Sequence, residues 1–315
     1  MWETFWIVFS TMLGLLVCLS IGYILRRFHL EPNNAATVLS KLVLYVLLPA
    51  MVLHSFIKNC IIASLQQHGS LFFYGLIVTA ATLLFGKLLS RFFSKESYER
   101  KIYTYALSVA NFSYIGVSVV VSLFGSEGLY AFNIFCVPLN MLVYGYLVPN
   151  LVPEGEGDPK GNWLKRILNP ITVALLLGLF LGVTGLSRYI PGFLMDTMNS
   201  LSGCVGPVAM ILTGFVIGGF HIPDLLRMKK VYVVAFLRLL VLPMVLVALV
   251  WLLRGDKTAC LMTMITYASA LGLNTVVIPA THGGDTHTGA SMAIISSVAC
   301  VVTIPLLYAF LDMIL

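Results

Sequence analysis

Charged side chains are scarce in this sequence. Asp, Glu, Lys and Arg make up 10% of its 315 residues, whereas hydrophobic residues make up 59%. An ordinary soluble domain carries roughly a quarter charged residues. So few charges cannot cover the surface of a water-soluble globule of this size. The composition therefore excludes an ordinary soluble domain and predicts that lipid is the solvent for most of the surface.

The sequence also lacks the motifs of catalysis, metal binding and disulfide frameworks. It contains no HExxH, GxSxG, phosphate-binding loop or paired carboxylates, which argues against an enzyme. The six cysteines are scattered without a CxxC, and most lie inside apolar runs, where a thiol behaves as a small hydrophobe. We expect no disulfide framework, no metal and no cofactor. The start of the chain lacks the basic segment of a cleavable signal peptide, so we expect it to form the first membrane span.

What the sequence does contain is a succession of long apolar runs. A hydrocarbon core of about 30 Å needs about 20 residues of helix. The runs are continuously apolar rather than alternating, which favours helices over a barrel. The predicted fold is an all-α polytopic membrane protein with ten transmembrane helices. The predicted spans are 4–25, 35–57, 70–91, 100–123, 128–149, 168–186, 193–219, 230–253, 258–281 and 289–312.

Basic residues are distributed unevenly between the predicted loops. Twelve lie in the loops after spans 1, 3, 5 and 7: Arg26, Arg27, Arg91, Lys95, Arg100, Lys101, Lys160, Lys165, Arg166, Arg227, Lys229 and Lys230. Four lie in the opposite loops: Lys58, Arg188, Arg254 and Lys257. Because Lys and Arg concentrate on the cytoplasmic side, we predict a plasma-membrane protein with both termini outside. This orientation also explains the net charge of +6, and we expect no nucleic-acid partner.

A polar linker rich in Pro, Gly and acidic residues lies at the middle of the chain. Five predicted spans lie on each side, and an odd number of spans per half places the halves in opposite orientations. The sequence therefore predicts two inverted five-helix repeats, at 1–150 and 167–315, joined by a cytoplasmic linker at 151–166. Two short similarities between the halves support this repeat. Pro49 matches Pro207 and Gly125 matches Gly283, and both pairs are 158 residues apart.

Predicted spans 4 and 9 contain polar and helix-breaking residues in the stretches 110–118 and 268–279. Such groups are costly at mid-membrane unless they face a cavity or a partner helix. If both helices break there, half-helix N-termini would present N–H groups to an anion, and Asn111 and Asn274 would donate to a carboxylate. Small-residue packing with asparagine bonds between helices is the alternative. The matching positions in two predicted repeats favour the binding site.

Other residues in the spans have competing interpretations. Pro49 and Pro207 are predicted to interrupt spans 2 and 7, either as structural kinks or as part of the site wall. Arg238 in span 8 is a candidate for attracting an anion or for charge coupling, although snorkelling or paired arginines are commoner. Asp196 near the outer end of span 7 is a candidate proton relay, with a wet helix end as the alternative.

A short loop at 282–287 contains two histidines and an aspartate, which are metal-ligand residue types. It lacks a third histidine and a fixed scaffold. We therefore predict a tight loop that precedes the last span rather than a metal site.

Three parts of the sequence carry a family resemblance: the stretches 110–118 and 271–297, and the sequence LLPAMVL in span 2. They resemble the auxin efflux carrier family, which includes bacterial permeases of malate and malonate type. The resemblance covers nearly the whole chain. It implies two inverted five-helix repeats, with scaffold helices 1, 2, 6 and 7 and transport helices 3–5 and 8–10. It also implies that helices 4 and 9 break and cross at a site for organic anions.

The resemblance assigns substrate-binding positions residue by residue. They are Asn111, Ser113, Tyr114 and Gly116 in span 4, and Leu273, Asn274 and Thr275 in span 9. The sequence departs from the family pattern at Ser118, where many members have proline. It also departs in span 9, where Pro279 is the proline nearest the expected helix break.

The expected function is secondary active transport of a small organic anion by alternating access. One alternative is a sodium-coupled symporter of bile-acid type, although the sequence shows no cluster of sodium ligands. A membrane sensor or channel is another, although a sensor would usually carry a soluble output domain. The expected partners are a small organic acid, the lipid bilayer, H⁺ or Na⁺ as coupling ion, and a second copy of the chain in a homodimer.

Overall fold

The computed structural model of the protein describes residues 2–30, 34–60, 62–152, 168–281 and 284–315. Over these residues the secondary structure is helical, and the one pairing of β type is an isolated bridge between Ala110 and Leu271. The all-α prediction is confirmed. Most of the predicted linker at 151–166 lies outside the described residues, as do His282 and Gly283 of the predicted tight loop.

The described part of the chain contains twelve helices that are labelled here, together with a short helix at Ile222–Leu226 and a 3-10 turn at Leu186–Tyr189. In chain order the labelled helices are α1 (Trp2–Arg27), α2 (Ala35–Asn59), α3 (Ile62–Phe93), α4 (Ser97–Ser108), α5 (112–124), α6 (126–150), α7 (Pro170–Val183), α8 (Gly192–Gly218), α9 (Lys229–Leu252), α10 (Lys257–Ala268), α11 (Asn274–Thr281) and α12 (His287–Ile314). Helices α5 and α6 form one segment, Phe112–Asn150, that leaves the helical region only at Gly125, where φ is 62° and ψ is −150°.

Seven helices of the described residues are long and apolar enough to cross a membrane. They are α1, α2, α3, the combined α5–α6 segment, α8, α9 and α12. Helix α7 is apolar but shorter. These helices support a multi-pass membrane protein. The count of ten crossings, the inverted repeat and the outside location of both termini stay predictions.

Helix starts in the second half of the chain follow local capping chemistry. The side chain of Asp256 accepts a hydrogen bond from the N–H of Ala259 at 2.9 Å, which starts α10. The side chain of Asn169 accepts from the N–H of Thr172 at 2.9 Å, and Pro170 takes the first position of α7. Both are preferred N-cap arrangements, because the cap satisfies an N–H that has no partner within the helix.

Three helices contain a π turn just before a proline. The turns end two residues before the proline in each case: Val43–Leu47 before Pro49, Val143–Leu147 before Pro149, and Leu237–Val241 before Pro243. Proline has no N–H and its ring clashes with the carbonyl of the preceding turn. A widened turn accommodates both effects without ending the helix.

The prediction that Pro49 and Pro207 interrupt their helices is therefore wrong. Helix α2 continues through Pro49 after its π turn. Helix α8 continues through Pro207, whose side chain is exposed. Pro279, the predicted marker of the second break, lies inside α11. In a membrane helix, local adjustment can satisfy the backbone groups that proline leaves free, so a proline alone does not locate a break.

Glycines bring two pairs of helices into close contact. A methyl group on Gly22 of α1 would collide with the carbonyl of Ile211 in α8, and one on Gly214 of α8 would collide with the carbonyl of Leu19. A methyl group on Gly178 of α7 would collide with Phe56 of α2. Small residues allow membrane helices to pack backbone against backbone. Helices α1 and α8, and α2 and α7, therefore form tightly packed pairs.

Helix α10 lies in the interior of the protein, among the other helices. Every residue of α10 from Ala259 to Ala268 is buried. Helix α9 packs on α10 and α12, and α3 packs on α4 and α6. The end of α10 is consequently inside the protein. The predicted division into scaffold and transport helices stays a prediction, and the candidate site lies where α4 and α10 end.

Candidate functional site at two helix breaks

Two of the non-helical stretches among the described residues lie inside the protein and touch each other. Helix α4 ends at Ser108 and α5 starts at Phe112, with Val109 extended at φ −127° and ψ 134°. Helix α10 ends at Ala268 and α11 starts at Asn274. We call 109–111 the first break and 269–273 the second break. The second break falls within the polar stretch singled out in span 9, and the first break overlaps the start of the stretch in span 4.

Hydrogen bonds hold the two breaks against each other. Ala110 and Leu271 form an antiparallel bridge, and the N–H of Asn111 donates to the carbonyl of Ala270 at 2.6 Å. The N–H of Leu271 donates to the hydroxyl of Ser296 in α12 at 2.9 Å. Backbone groups away from water need such partners. The crossing is therefore a fixed junction rather than a loose loop.

The half-helices α5 and α11 both begin at this crossing. In α5, the N–H groups of Tyr114 and Ile115 donate to the carbonyl of Asn111 at 3.4 and 3.0 Å. In α11, the N–H groups of Val276 and Val277 donate to the carbonyl of Leu273 at 2.8 and 2.9 Å. The first N–H groups of a helix have no partner within it and carry a partial positive charge. Two such helix ends point into one region.

A small cavity of about 40 Å³ lies at the two helix starts. A water molecule needs roughly 10–15 Å³ of such space, so the cavity can hold a few waters but is too tight for an organic acid. Its walls come from α2, α4, α5, α6, α11 and both breaks. The lining residues are Leu48, Tyr105, Val109, Ala110, Asn111, Phe112, Ser113, Tyr114, Val143, Tyr144, Gly272, Leu273 and Asn274.

The two predicted asparagines have different hydrogen bonding. Asn111 is 5% exposed and lines the cavity, and its side chain makes no hydrogen bond to the described residues. The Nδ2 of Asn274 donates to the hydroxyl of Tyr105 at 2.7 Å. Asn111 is therefore the residue of this site with the most unused hydrogen-bonding capacity.

The cavity is polar but contains no Asp, Glu, Lys or Arg side chain. Its donors are amides, the hydroxyls of Ser113 and three tyrosines, and the N–H groups at the starts of α5 and α11. Because helix N-termini favour negative charge and no carboxylate opposes them here, the local field suits an anion. The hydroxyls and amides can orient an anion through hydrogen bonds.

Five of the seven predicted binding residues line this cavity, and two lie behind its wall. The lining residues are Asn111, Ser113, Tyr114, Leu273 and Asn274. Gly116 packs closely against the ring of Phe132. Thr275 is fully buried, and its hydroxyl donates to the carbonyl of Gly272 at 3.1 Å. These two positions shape the half-helix starts rather than the cavity surface.

Sequence reasoning missed Tyr105 and Tyr144, which supply two of the three tyrosine hydroxyls in the cavity. Both lie within predicted spans 4 and 5 rather than at a predicted membrane interface, where tyrosine is common. A tyrosine inside a span usually needs a hydrogen-bond partner. That signal could have placed these residues in a polar cavity, but it could not have paired Tyr105 with Asn274.

Arg238 and Asp196, the two charged candidates, both lie away from the cavity. Arg238 in α9 is fully buried, and its Nη1 donates to the carbonyl of Tyr267 at 2.6 Å. It therefore neither snorkels nor lines the cavity. Asp196 is exposed at the start of α8, as expected for a wet helix end.

The described residues contain no cluster of three His, Cys, Asp or Glu side chains that could hold a metal ion. His287 and Asp285 of the predicted tight loop are described, and the carboxylate of Asp285 accepts from the N–H of His287 at 2.9 Å. Asp285 therefore forms a local turn just before α12, in which an aspartate side chain bonds the backbone two residues on, and this is an ordinary structural role.

Comparison of the chain with known protein families and proteins gives a family match that includes both breaks. A family profile described as "Membrane transport protein" matches residues 7–308. An uncharacterized transporter of Methanothermobacter thermautotrophicus is 24% identical over 302 residues, which cover 94% of this chain and 96% of that protein. An uncharacterized transporter of Methanocaldococcus jannaschii is 25% identical over 214 residues, which cover 65% of this chain and 67% of that protein.

Proposed function

Because this chain belongs to the membrane transport protein family, the family of the auxin efflux carriers, we propose that it is a secondary transporter of a small organic anion. The family match confirms the resemblance found in the sequence. The chain is thus a multi-pass membrane transporter. The carboxylate substrate and the alternating-access mechanism are our proposals, and the site at the two breaks supports them.

One observation carries the proposal. Two half-helix N-termini and the unpaired amide of Asn111 meet in a cavity that holds no charged side chain. Broken helices in secondary transporters commonly point such N-termini at anionic groups of the substrate. A carboxylate here would accept hydrogen bonds from the N–H groups of Phe112 and Ser113 and from Nδ2 of Asn111.

The tyrosines and Asn274 would determine which substrates fit the site. Tyr114 and Tyr144 line the cavity, and we propose that their hydroxyls donate to a second polar group of the anion. Asn274 is held by Tyr105 in the described conformation. A substrate that bonds the carbonyl oxygen of Asn274 or displaces Tyr105 would couple binding to a change at the start of α11. The site therefore favours a small acid with a second polar group.

The cavity walls also support alternating access. Of all lining residues, only Leu48 comes from the predicted scaffold helices, here α1, α2, α7 and α8. The other lining residues come from α4, α5, α6, α11 and the two breaks. A site carried almost entirely by one group of helices can move as a unit past the other group. The present cavity is too small for an organic acid, so this conformation is closed around the crossing.

Transport by the purified protein in liposomes tests the proposal. The probes are labelled malonate, L-malate and pyruvate, with unlabelled acid as competitor. We expect saturable uptake of at least one probe by the wild type and a loss of about tenfold or more in Asn111→Ala, because a hydrogen bond to a charged group contributes about 1.5–3 kcal/mol. Asn199→Ala, at an exposed asparagine of α8, is the matched control.

Two results would contradict the proposal. One is the absence of saturable uptake for any carboxylate by a folded wild type. The other is wild-type uptake by Asn111→Ala, which would separate transport from this site. Unitary currents in a planar bilayer would instead identify a channel.

A further inference from the structure

The end of α10 lies inside the protein, where its last carbonyls lack partners within the helix. Such carbonyls carry a partial negative charge of roughly half an electron. Two side chains meet them here. The hydroxyl of Ser269 donates to the carbonyl of Ile265 at 2.7 Å, and Nη1 of Arg238 donates to the carbonyl of Tyr267 at 2.6 Å.

Arg238 has no carboxylate partner among the described residues. Its guanidinium carbon lies 5.4 Å from the centre of the Tyr267 ring, which adds a cation–π contact. Its Nε and Nη2 are buried and make no hydrogen bond to the described residues. An uncompensated charge at membrane depth is costly and usually marks a functional position. The negative end of α10 is the counter-charge that the structure provides for Arg238.

In transporters with broken helices, half-helix C-terminal ends and unwound carbonyls commonly coordinate the coupling Na⁺ or H⁺. Arg238 stands at such an end. We propose that Arg238 is a positioning residue that acts as a built-in cation at the end of α10, so that transport requires no sodium ion there. This inference rests on the proposed transport function and specifies its ion requirement.

Hydrogen bonds extend from this end towards the first break. The hydroxyl of Tyr267 lies 3.4 Å from the hydroxyl of Thr79 and 3.5 Å from that of Thr82, both in α3. The hydroxyl of Ser108, the last residue of α4, donates to the carbonyl of Thr82 at 3.2 Å. Arg238 and Tyr267 are thus connected through α3 to the end of α4. The charge of Arg238 therefore helps to keep the ends of α4 and α10 in fixed positions relative to each other.

The sodium requirement of the wild type is the first test. Uptake of labelled malonate, L-malate and pyruvate into liposomes is compared in sodium chloride and in choline chloride at equal ionic strength. We expect equal initial rates, within twofold, in the two salts. A rate that falls tenfold or more in choline would overturn the proposal.

The second test replaces the charge. Arg238→Gln keeps a hydrogen-bond donor but removes the charge, and we expect at least a tenfold loss of uptake. Arg238→Lys keeps the charge and one donor, and we expect it to retain clearly more uptake than Arg238→Gln. Arg188→Gln, at an exposed arginine, is the matched control and should transport like the wild type.

Thermal unfolding of each purified variant separates loss of function from loss of fold. If Arg238→Gln does not fold, Arg238→Lys and the sodium comparison on the wild type still decide the question. Wild-type uptake in folded Arg238→Gln, or a folded Arg238→Lys no better than Arg238→Gln, would overturn the role of the charge. Failure of the proposed function would look different, because the wild type would then transport none of the probes in either salt.

Discussion

The two helix breaks meet at one junction but are held in different ways. At the first break, Asn111 leaves its side-chain amide unpaired at the cavity, and the hydroxyl of Ser108, the last residue of α4, donates to the carbonyl of Thr82 in α3. At the second break, Asn274 is already bonded to Tyr105, and Arg238 covers the preceding helix end. The first break is therefore suited to bind a ligand, and the second is suited to hold the junction in place.

The largest expected effect contrasts the two asparagines. Asn111→Ala should weaken carboxylate binding by about 10-fold to 150-fold, since it removes about 1.5–3 kcal/mol of hydrogen bonding to a charged group. Asn274→Ala should weaken it less, by up to about tenfold, because its amide already has a partner within the protein. Isothermal titration of the purified proteins with the transported acid measures both. Equal losses in the two variants would show that the breaks share the ligand evenly.

A smaller effect is expected from the glycines near the second break. A methyl group on Gly289 in α12 would collide with the carbonyl of Thr275, whereas one on Gly272 has no neighbour closer than 3.7 Å. Gly289→Ala should therefore lower the free energy of unfolding by about 1–3 kcal/mol, as overpacking does. Gly272→Ala should leave it nearly unchanged.

Thermal and denaturant unfolding of the two glycine variants in detergent provides the comparison. Equal stability of Gly289→Ala and Gly272→Ala would mean that the start of α11 is free to shift. In that case the second break would not be the fixed side of the junction.

The smallest effect concerns Tyr105. Tyr105→Phe removes the hydroxyl that accepts from Asn274 and should lower the free energy of unfolding by about 0.5–1.5 kcal/mol, the net contribution of one hydrogen bond. Tyr144→Phe is the control, because the Tyr144 hydroxyl makes no hydrogen bond to the described residues. If both variants unfold alike, Tyr105 does not restrain Asn274 in solution.

The sequence located the long helices well because their signal is local. The predicted span 193–219 corresponds to α8 at Gly192–Gly218, and 4–25 corresponds to α1 at Trp2–Arg27. Length and apolarity decide such segments, and both can be read along the chain. The stretches around Asn111 and Asn274 were also found, because polar groups at mid-span stand out against an apolar background.

Contacts between distant residues could not be read in the same way. Arg238 and Tyr267 are 29 positions apart, and Tyr105 and Asn274 are 169 positions apart. Only the packing of α9 on α10, and of α4 against the second break, brings these pairs together. The prediction that prolines interrupt their helices failed for a related reason. Whether Pro207 breaks α8 depends on how the surrounding protein satisfies the backbone, and residue type alone does not encode that.

Gly125 is the single residue between α5 and α6, and its φ of 62° suits glycine and strains other residues. So short a connection limits how far apart the two helix ends that meet at Gly125 can move. Tyr114 on α5 and Tyr144 on α6 stand on different walls of the same cavity. A change of the angle between α5 and α6 at Gly125 would therefore alter the distance between these two walls.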